Sequence, residues 1–422
     1  MIRRPLKAPK RNGGQKSSFM ALAVSAALCA VTFWILTKAK AVDALARMPA
    51  LLLTAGAGAS LLYRALGGPF APSDWVTAGA DILLAGLAFT AACQFRLTRL
   101  AAICPASFRL TIGGAPLFLI ICGLAAFILL PQLTLSTAML VAAALTLNGA
   151  AFDRRAVTDA PAPATIKAAV RLESAAILAL GIPVAVLLEA VATAAPQDMP
   201  MITPLYEALR SLLIAFALGG GIGLGAASLG NRLKTIEKKG SLAVLAGVAA
   251  FLIAPLLGGH AVIAAAAAGL LWGEQTTALI TTRVRLRRIA ERSIAPAAYF
   301  GFGVLLAPRI FQADLLTIVF ALAAITVMRA GPRLASLKKT TLPKESQMFL
   351  AWFGGAPGAA SALFLISLLD APSILTQDAV LTVGALAVVF GVFAARLTSR
   401  PLIKLFLKET AMARKRAMYA TG

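Results

Sequence analysis

The stretch that decides the fold runs from Thr146 to Val186 and reads TLNGAAFDRRAVTDAPAPATIKAAVRLESAAILALGIPVAV. An apolar helical run breaks at Asn148-Gly149, a basic and proline-containing turn follows, and a second apolar run carries Glu173 about two turns in. Carboxylates are costly at bilayer depth, and interrupted helices occur there only where they line a protein-walled cavity. The stretch therefore predicts a transport site inside a membrane protein.

The composition of the whole chain agrees with this interpretation. Hydrophobic residues make up 59% of 422 residues and the mean hydropathy is +0.85, well above the roughly half-apolar norm of soluble domains. Apolar runs of about twenty residues, each long enough to cross the hydrocarbon core, recur along the chain. We predict an all-α polytopic membrane protein of about thirteen transmembrane spans, near residues 18–36, 45–63, 75–95, 110–130, 134–152, 168–189, 204–228, 241–256, 260–273, 294–308, 313–328, 347–369 and 375–396.

The predicted spans leave one alternative open and exclude a separate soluble domain. The short runs at 241–256 and 260–273 fit either two spans or one hairpin that dips into the bilayer. No soluble domain remains once the spans are assigned. The predicted organisation is a basic N-terminal tail (1–17), a transmembrane domain (18–402) and a basic cytoplasmic tail (403–422).

The formal net charge of +23 is explained by topology. Lys and Arg fall almost entirely in alternate loops, and the loops between these are nearly free of them. This positive-inside pattern places the C-terminus in the cytoplasm and, with an odd number of spans, the N-terminus outside. The basic tail 1–17 would by itself prefer the cytoplasm, but orientation follows the sum over many loops. The charge therefore does not indicate a nucleic-acid partner.

Motifs for chemistry other than transport are missing from the sequence. The four cysteines have no CxxC spacing and fit small core residues. No phosphate loop, nucleophile elbow or metal-ligand cluster occurs. We therefore expect no enzymatic activity, no cofactor and no metal site. The cysteines are Cys29, Cys93, Cys104 and Cys122.

A second break mirrors the first. The run MFLAWFGGAPGAASALFL, starting at Met348, is interrupted by Gly354-Gly355-Ala356-Pro357-Gly358. Spans five and twelve are thus the interrupted ones, and because they are seven spans apart their orientations are opposite. We predict an inverted-topology repeat of two six-helix units, near 18–192 and 241–402, joined by the helix 204–228, with two crossed interrupted helices.

The order of these features resembles the monovalent cation:proton antiporter family, of the bacterial sodium/proton exchanger type. In such exchangers the broken fifth helix carries Thr-Asp, a turn like AVVTDPRVPARIRRAL follows, and the sixth helix begins with Glu-Ser and continues to Asn-Asp. Here AVTDAPAPATIKAAV (156–170) matches the turn and Glu173-Ser174 matches Glu-Ser. The run LLGGHAVIAAAAAGLLWG (256–273) is similar to the small-residue helix of the family.

The resemblance also assigns a charged pair. In ITVMRAGPRL, Arg329 stands at the inner end of span eleven, where these exchangers carry an arginine that pairs with the sixth-helix glutamate. The resemblance therefore predicts an ion pair between Glu173 and Arg329. Because a buried glutamate without its arginine would cost several kcal/mol, we interpret the pair as structural. A glutamate that itself carries the protons is the alternative.

The sequence departs from the family at the ion site. Alignment through the turn puts Asn148 and Gly149 where the family has Thr-Asp, and Ile177 and Leu178 where it has Asn-Asp. The arginine of the Trp-Phe-Gly-Pro-Arg-Gly pattern is also replaced. Exchange needs a group that is ionised when it holds the cation and neutral when protonated, and an Ile-Leu pair supplies neither state.

Three other carboxylates are candidates for the missing group. Asp153 lies one helical turn after Gly149, where Arg154 and Arg155 favour an interfacial ion pair instead. Asp81, about two turns into span three, and Glu189, at the outer end of span six, also fit interfacial charges.

The resemblance implies a multi-pass protein of the bacterial inner membrane that exchanges a monovalent cation for protons and forms a homodimer. Two alternatives follow from the altered ion site. One is a structural or regulatory membrane subunit that does not transport. The other is a carrier of a neutral or anionic solute, because removal of carboxylates from a cavity lined by half-helix N-termini makes that cavity more electropositive.

Overall fold

The computed structural model describes residues 48–66, 74–94, 96, 98, 100, 104–148, 164–194, 202–233, 235–276, 280–338, 340–371, 374 and 376–420. Within these ranges the regular structure is helical and the β contacts are confined to one isolated bridge. The predictions for span 18–36, Cys29, Gly149 and Asp153 fall outside the described residues.

In the described residues, thirteen helical elements and one separate 3₁₀ helix, Ala307–Gln312, follow one another, and α3, α9, α10 and α12 each contain more than one segment. Short π-helical segments continue α3 and α9 at Leu110–Gly114 and Ala290–Ile294, and a turn at Thr326 divides α10. The elements are α1 (Pro49–Ala65), α2 (Asp74–Ala92), α3 (Pro105–Leu129), α4 (Leu135–Thr146), α5 (Ala164–Ala194), α6 (Ile202–Arg232), α7 (Ile236–Leu256), α8 (Ala261–Gln275), α9 (Ile280–Ile289 continued by Ala295–Leu305), α10 (Leu315–Ile325 and Val327–Leu337), α11 (Lys344–Phe353), α12 (Ala359–Ser367, then a 3₁₀ turn Leu368–Asp370) and α13 (Gln377–Ala420).

The prediction of an all-helical polytopic membrane protein is confirmed. Twelve of the predicted spans coincide with helices in the described part of the chain. Seven helices there are long and apolar enough to cross a membrane, and three further apolar helices are shorter. The runs at 241–256 and 260–273, which also fitted a single hairpin, form two separate helices, α7 and α8. Helix α7 has 21 residues and is one of the seven that are long enough to cross a membrane.

Two helices are longer than hydropathy predicted. The tenth span was predicted from residue 294, but α9 begins at Ile280 and carries the arginine cluster 283–292 as helix. The last span was predicted to end near residue 396, whereas α13 continues to Ala420. Hydropathy marks where a helix leaves the apolar core, and a helix whose charged turns lie beyond the core continues past that point.

Small residues allow the helices to pack closely. Gly219 and Gly223 of α6 lie against the backbone of α8, where a Cβ on Gly223 would be 2.9 Å from the Cα of Ala268. Gly303 of α9 approaches the Gly56 region of α1 in the same way. Close backbone approach through small residues is the usual source of packing energy between membrane helices, because lipid supplies little hydrophobic driving force for their association.

Candidate functional site

The two interrupted helices meet at their breaks. Helix α4 ends at Thr146, Leu147 is extended, and Asn148 forms an isolated antiparallel bridge with Pro357. Pro357 belongs to the segment Gly354–Gly358, which separates α11 from α12. The predicted interruption of the twelfth span is confirmed, and α4 ends where the fifth span was predicted to break, while residues 149–152 of that span lie outside the described residues. We call this region the crossing.

Serine hydroxyl groups cap the end of α4 at the crossing. A helix ends with carbonyl groups that have no partner inside the helix. The Ser361 hydroxyl, on the first turn of α12, donates to the carbonyl oxygen of Leu147. The Ser174 hydroxyl, on α5, donates to the carbonyl oxygen of Asn148 at 3.3 Å. Because both serines are fully buried, these bonds satisfy acceptors that water does not reach.

Two arginines of α10 cap the end of α11 in the same way. Arg333 donates from Nη2 to the carbonyl oxygen of Leu350 at 2.8 Å and from Nε to that of Ala351 at 3.2 Å. Arg329 donates to the carbonyl oxygen of Trp352 at 2.9 Å, and its guanidinium carbon lies 5.9 Å from the centre of the Trp352 ring. The positive charges thus stand at the negative end of a half-helix dipole.

Glu173 binds Arg333 through both carboxylate oxygens. Arg333 Nη2 donates to Oε2 at 2.8 Å, and Nη1 donates to Oε1. The Glu173 side chain is fully buried and that of Arg333 is nearly so. A buried ion pair of this kind is held by its geometry and its additional hydrogen bonds, because the desolvation cost of two charges is large.

The prediction that Glu173 pairs with Arg329 is wrong by one helical turn. Arg329 and Arg333 are four residues apart and lie on the same side of α10. The resemblance pointed to the first arginine, but the second is the one whose guanidinium reaches α5. The sequence signal that was missed is the second arginine in MRAGPR. The structural interpretation of the pair stays a prediction.

Glycines at the second break make room for this ion pair. A Cβ on Gly354 would overlap Arg333 Nη2 and lie 2.7 Å from Glu173 Oε2. Gly355 has φ +51°, a backbone conformation that favours glycine, and a Cβ there would lie 3.0 Å from the Arg333 Cζ. Gly354 and Gly355 of the break therefore lie directly against the guanidinium group.

The Asn148 side chain at the crossing is fully buried. Among the residues that the structure describes, neither its Oδ1 nor its Nδ2 has a hydrogen-bond partner. A buried amide in this state costs about 1–3 kcal/mol for each unsatisfied group. Native proteins rarely keep such a group without a water molecule, an ion or a functional reason.

The other matched ion-site positions are apolar and packed. Ile177 and Leu178 of α5 are buried. A Cβ on Gly181, one turn further, would be 3.2 Å from the Leu147 side chain, so that this part of α5 lies against the end of α4. The end of α4, which Asn148 follows, thus lies beside the part of α5 that carries Ile177 and Leu178, and their role as an ion site stays a prediction.

Carboxylates also lie near one another at the N-terminal half of α2 and the C-terminal ends of α5 and α12. Asp81 interacts electrostatically with both Asp370 and Glu189. Thr77 donates weakly to Asp370, at 3.5 Å. In the part of the chain that the structure describes, neither Asp81 nor Glu189 forms an ion pair, and no group of three or more His, Cys, Asp or Glu residues could hold a metal ion.

Comparison with known proteins identifies the family. The sequence profile of the sodium/hydrogen exchanger transmembrane region matches residues 21–405. The chain belongs to the sodium/hydrogen exchanger family. Comparison with curated protein sequences gives no match.

The fold is similar to that of a solved member. The structure of the sodium proton antiporter MjNhaP1 from Methanocaldococcus jannaschii at pH 8 aligns with a TM-score of 0.65 and 16% identity, and the alignment covers 93% of this chain and 98% of that one. An electron-microscopy structure of the same antiporter aligns with a TM-score of 0.57 and 16% identity over 93% and 97% of the two chains. At 16% identity this similarity shows the fold alone.

Proposed function

We propose that the protein exchanges a monovalent cation for protons across the membrane that it spans. The observation that carries this proposal is the crossing, where two half-helix ends meet around the unsatisfied amide of Asn148. Family membership favours exchange over the alternatives of an inert subunit or a carrier of another solute. The bacterial inner membrane, the cytoplasmic C-terminus and the homodimer are part of the same proposal.

The cation is proposed to bind at the crossing through neutral oxygen atoms. Among the described residues the Asn148 Oδ1 lacks a donor, and the Ser174 hydroxyl on α5 contacts the backbone carbonyl oxygen of the same residue. A carboxamide oxygen and a hydroxyl oxygen are ligands that hard cations accept. A site of neutral oxygens suits a singly charged ion, because it need not be balanced by a buried carboxylate.

The protons are proposed to bind at Asp81 and Glu189. Exchange requires a group that takes either a proton or a cation, and Glu173 is committed to Arg333. Asp81 and Glu189 repel each other, and either a proton or a cation relieves that repulsion. We infer that a cation on its way to or from the crossing competes with protons for this pair of carboxylates, and this competition is the coupling that exchange needs.

Fluorescence dequenching of a pH indicator in proteoliposomes tests the proposal. A pH gradient is imposed, and sodium, potassium, lithium or chloride salts are then added. We expect dequenching that depends on the cation and not on chloride. Silence for every cation would overturn exchange, and a response to chloride alone would favour an anion carrier.

Variants in the same assay test the proton-binding residues separately. Asp81→Asn with Glu189→Gln is expected to abolish most of the dequenching, while Glu207→Gln, an exposed acid on α6, serves as the matched control. If the wild type is active and the double variant is equally active, the proposal that the protons bind at Asp81 and Glu189 is refuted. The proposal that the protein exchanges a cation for protons would not be affected. Mass determination in nanodiscs tests the homodimer.

A further inference from the structure

An apolar groove lies between α10, α11 and α13, apart from the crossing. Its volume is about 690 Å³, within the range of about 300–1,000 Å³ that is usual for ligand sites. The residues that line it include Ala330 and Leu334 of α10, Met348 and Trp352 of α11, and Thr398 and Leu402 of α13. The groove is large enough for a lipid chain and too large to be a packing defect.

Two polar side chains in the wall of the groove, those of Trp352 and Thr398, already have hydrogen-bond partners. Trp352 Nε1 donates to the Thr398 hydroxyl oxygen at 2.9 Å, and that hydroxyl donates to the carbonyl oxygen of Ala394 at 2.7 Å. An occupant therefore gains little from hydrogen bonds at the wall. The chemistry of this surface suits a hydrocarbon chain.

The groove opens towards the lipid on the face of the protein where the basic loops lie. Met348 on its wall and Leu397 beside Thr398 are 66% and 74% exposed. Large apolar side chains with such exposure on a membrane helix face acyl chains. A hydrocarbon chain can thus enter from the side without crossing the protein.

Three exposed lysines lie close in sequence to residues that line the groove. Lys338 follows Leu334 by one turn, Lys344 adjoins the lining residue Glu345, and Lys404 follows Leu402 by two residues. Glu345 is the acidic residue in the lining. The three lysines outweigh its negative charge, so that the part of the groove beside them has a net positive charge. Basic pockets between helices on the cytoplasmic side of a membrane bind anionic lipid headgroups.

We propose that this groove binds an anionic phospholipid of the leaflet on the basic side, with one acyl chain between α10, α11 and α13 and the phosphate among Lys338, Lys344 and Lys404. The inference does not depend on the proposed exchange activity. The wall is apolar where the chain would lie and positive where the phosphate would lie, and this pairing favours an anionic lipid over a zwitterionic one. The Trp352 side of the groove also adjoins Arg329, so that the lipid would contact the residues that cap α11.

Native mass spectrometry of the full-length protein tests the site. Phosphatidylglycerol and phosphatidylcholine of identical chains are titrated onto the delipidated protein. We expect tighter binding of phosphatidylglycerol, weakened about fivefold for each lysine removed and about 25-fold in Lys338→Gln with Lys344→Gln. The control, Lys238→Gln with Arg288→Gln, removes two exposed charges from the same face elsewhere and should bind as the wild type does.

A second variant fills the groove without changing its charge. Ala330→Trp is expected to reduce the binding of both lipids at this site, and Leu334→Trp replaces it if the first variant does not fold. Equal affinity for the two lipids, unchanged binding in the lysine variant, or unchanged binding in the filled variant would each overturn the proposal. A filled variant that instead dissociates a dimer would show that a second copy of the chain occupies the groove.

Discussion

Removal of either partner of the Glu173–Arg333 pair should destabilise the protein strongly. Both side chains are almost completely buried, and one partner left alone is an uncompensated charge that costs about 3–5 kcal/mol. Glu173→Gln leaves the guanidinium with its bonds to Leu350 and Ala351. Arg333→Met leaves a bare carboxylate and also removes the donor to Ala351, whose carbonyl adds about 1–3 kcal/mol. The arginine variant should therefore be the less stable of the two.

The double variant Glu173→Gln with Arg333→Met should cost less than the sum of the single variants. It leaves no orphan charge, and residues in direct contact typically show a coupling free energy of about 0.5–3 kcal/mol. The assay is equilibrium unfolding in mixed micelles of a mild detergent and SDS, followed by helical circular dichroism. The free energies of unfolding of the four proteins give the coupling directly.

Arg329 provides the matched control for this cycle. It lies one turn away on α10, is also buried and also caps α11, through Trp352. The cycle of Glu173→Gln with Arg329→Met should give a coupling free energy well below that of the Arg333 cycle. Strict additivity with Arg333, or a larger coupling with Arg329, would refute the assignment of the pair.

Three further predictions concern the scaffold. Gly223→Ala should lower the thermal midpoint in detergent, because its Cβ would lie 2.9 Å from the Cα of Ala268, whereas Gly225→Ala, with nothing within 4 Å, should leave it equal or higher; equal loss in both would contradict the close α6–α8 contact. Thr134→Ala removes a capping box on α4 and should cost about 1 kcal/mol in SDS unfolding, and no change would contradict the cap. Hydrogen bonds from the Thr317 side chain and backbone lower the pKa of Asp314 below its ordinary 3.8, so the stability that Asp314 gives is complete above that value and is lost as the pH falls through the folded pKa. Asp314→Ala should thus lower the thermal midpoint at pH 6 and converge with the wild type in strong acid, and a gap that persists there would contradict the lowered pKa.

The backbone plan could be predicted from the sequence because its signals are local. Glycine and proline mark the break at Gly354–Gly358, and Asn148-Gly149 marks the other. Apolar runs of membrane length give the spans, since few other structures place so many of them in one chain. Hydropathy failed at α9 and α13, where the helix continues into charged turns that no longer face lipid.

The partners within the site could not be predicted because they depend on side-chain reach. Arg329 and Arg333 present the same chemistry on the same side of α10, and only the positions of α5 and α11 decide which one meets Glu173. The capping role of Ser361 was missed for a similar reason. It lies 214 residues from Leu147, and nothing in the local pattern connects them.

The central claim, that cation exchange depends on the crossing, is tested most directly by measuring cation uptake and internal pH together in the same proteoliposomes. With an acidic interior, the wild type should take up labelled sodium, potassium or lithium while the interior becomes more alkaline. Asn148→Ala should lose most of both signals, while Gln347→Ala on α11, whose side chain donates to the carbonyl oxygen of Leu342, should keep them. Uptake without proton movement, or an Asn148→Ala variant as active as the wild type, would contradict the account.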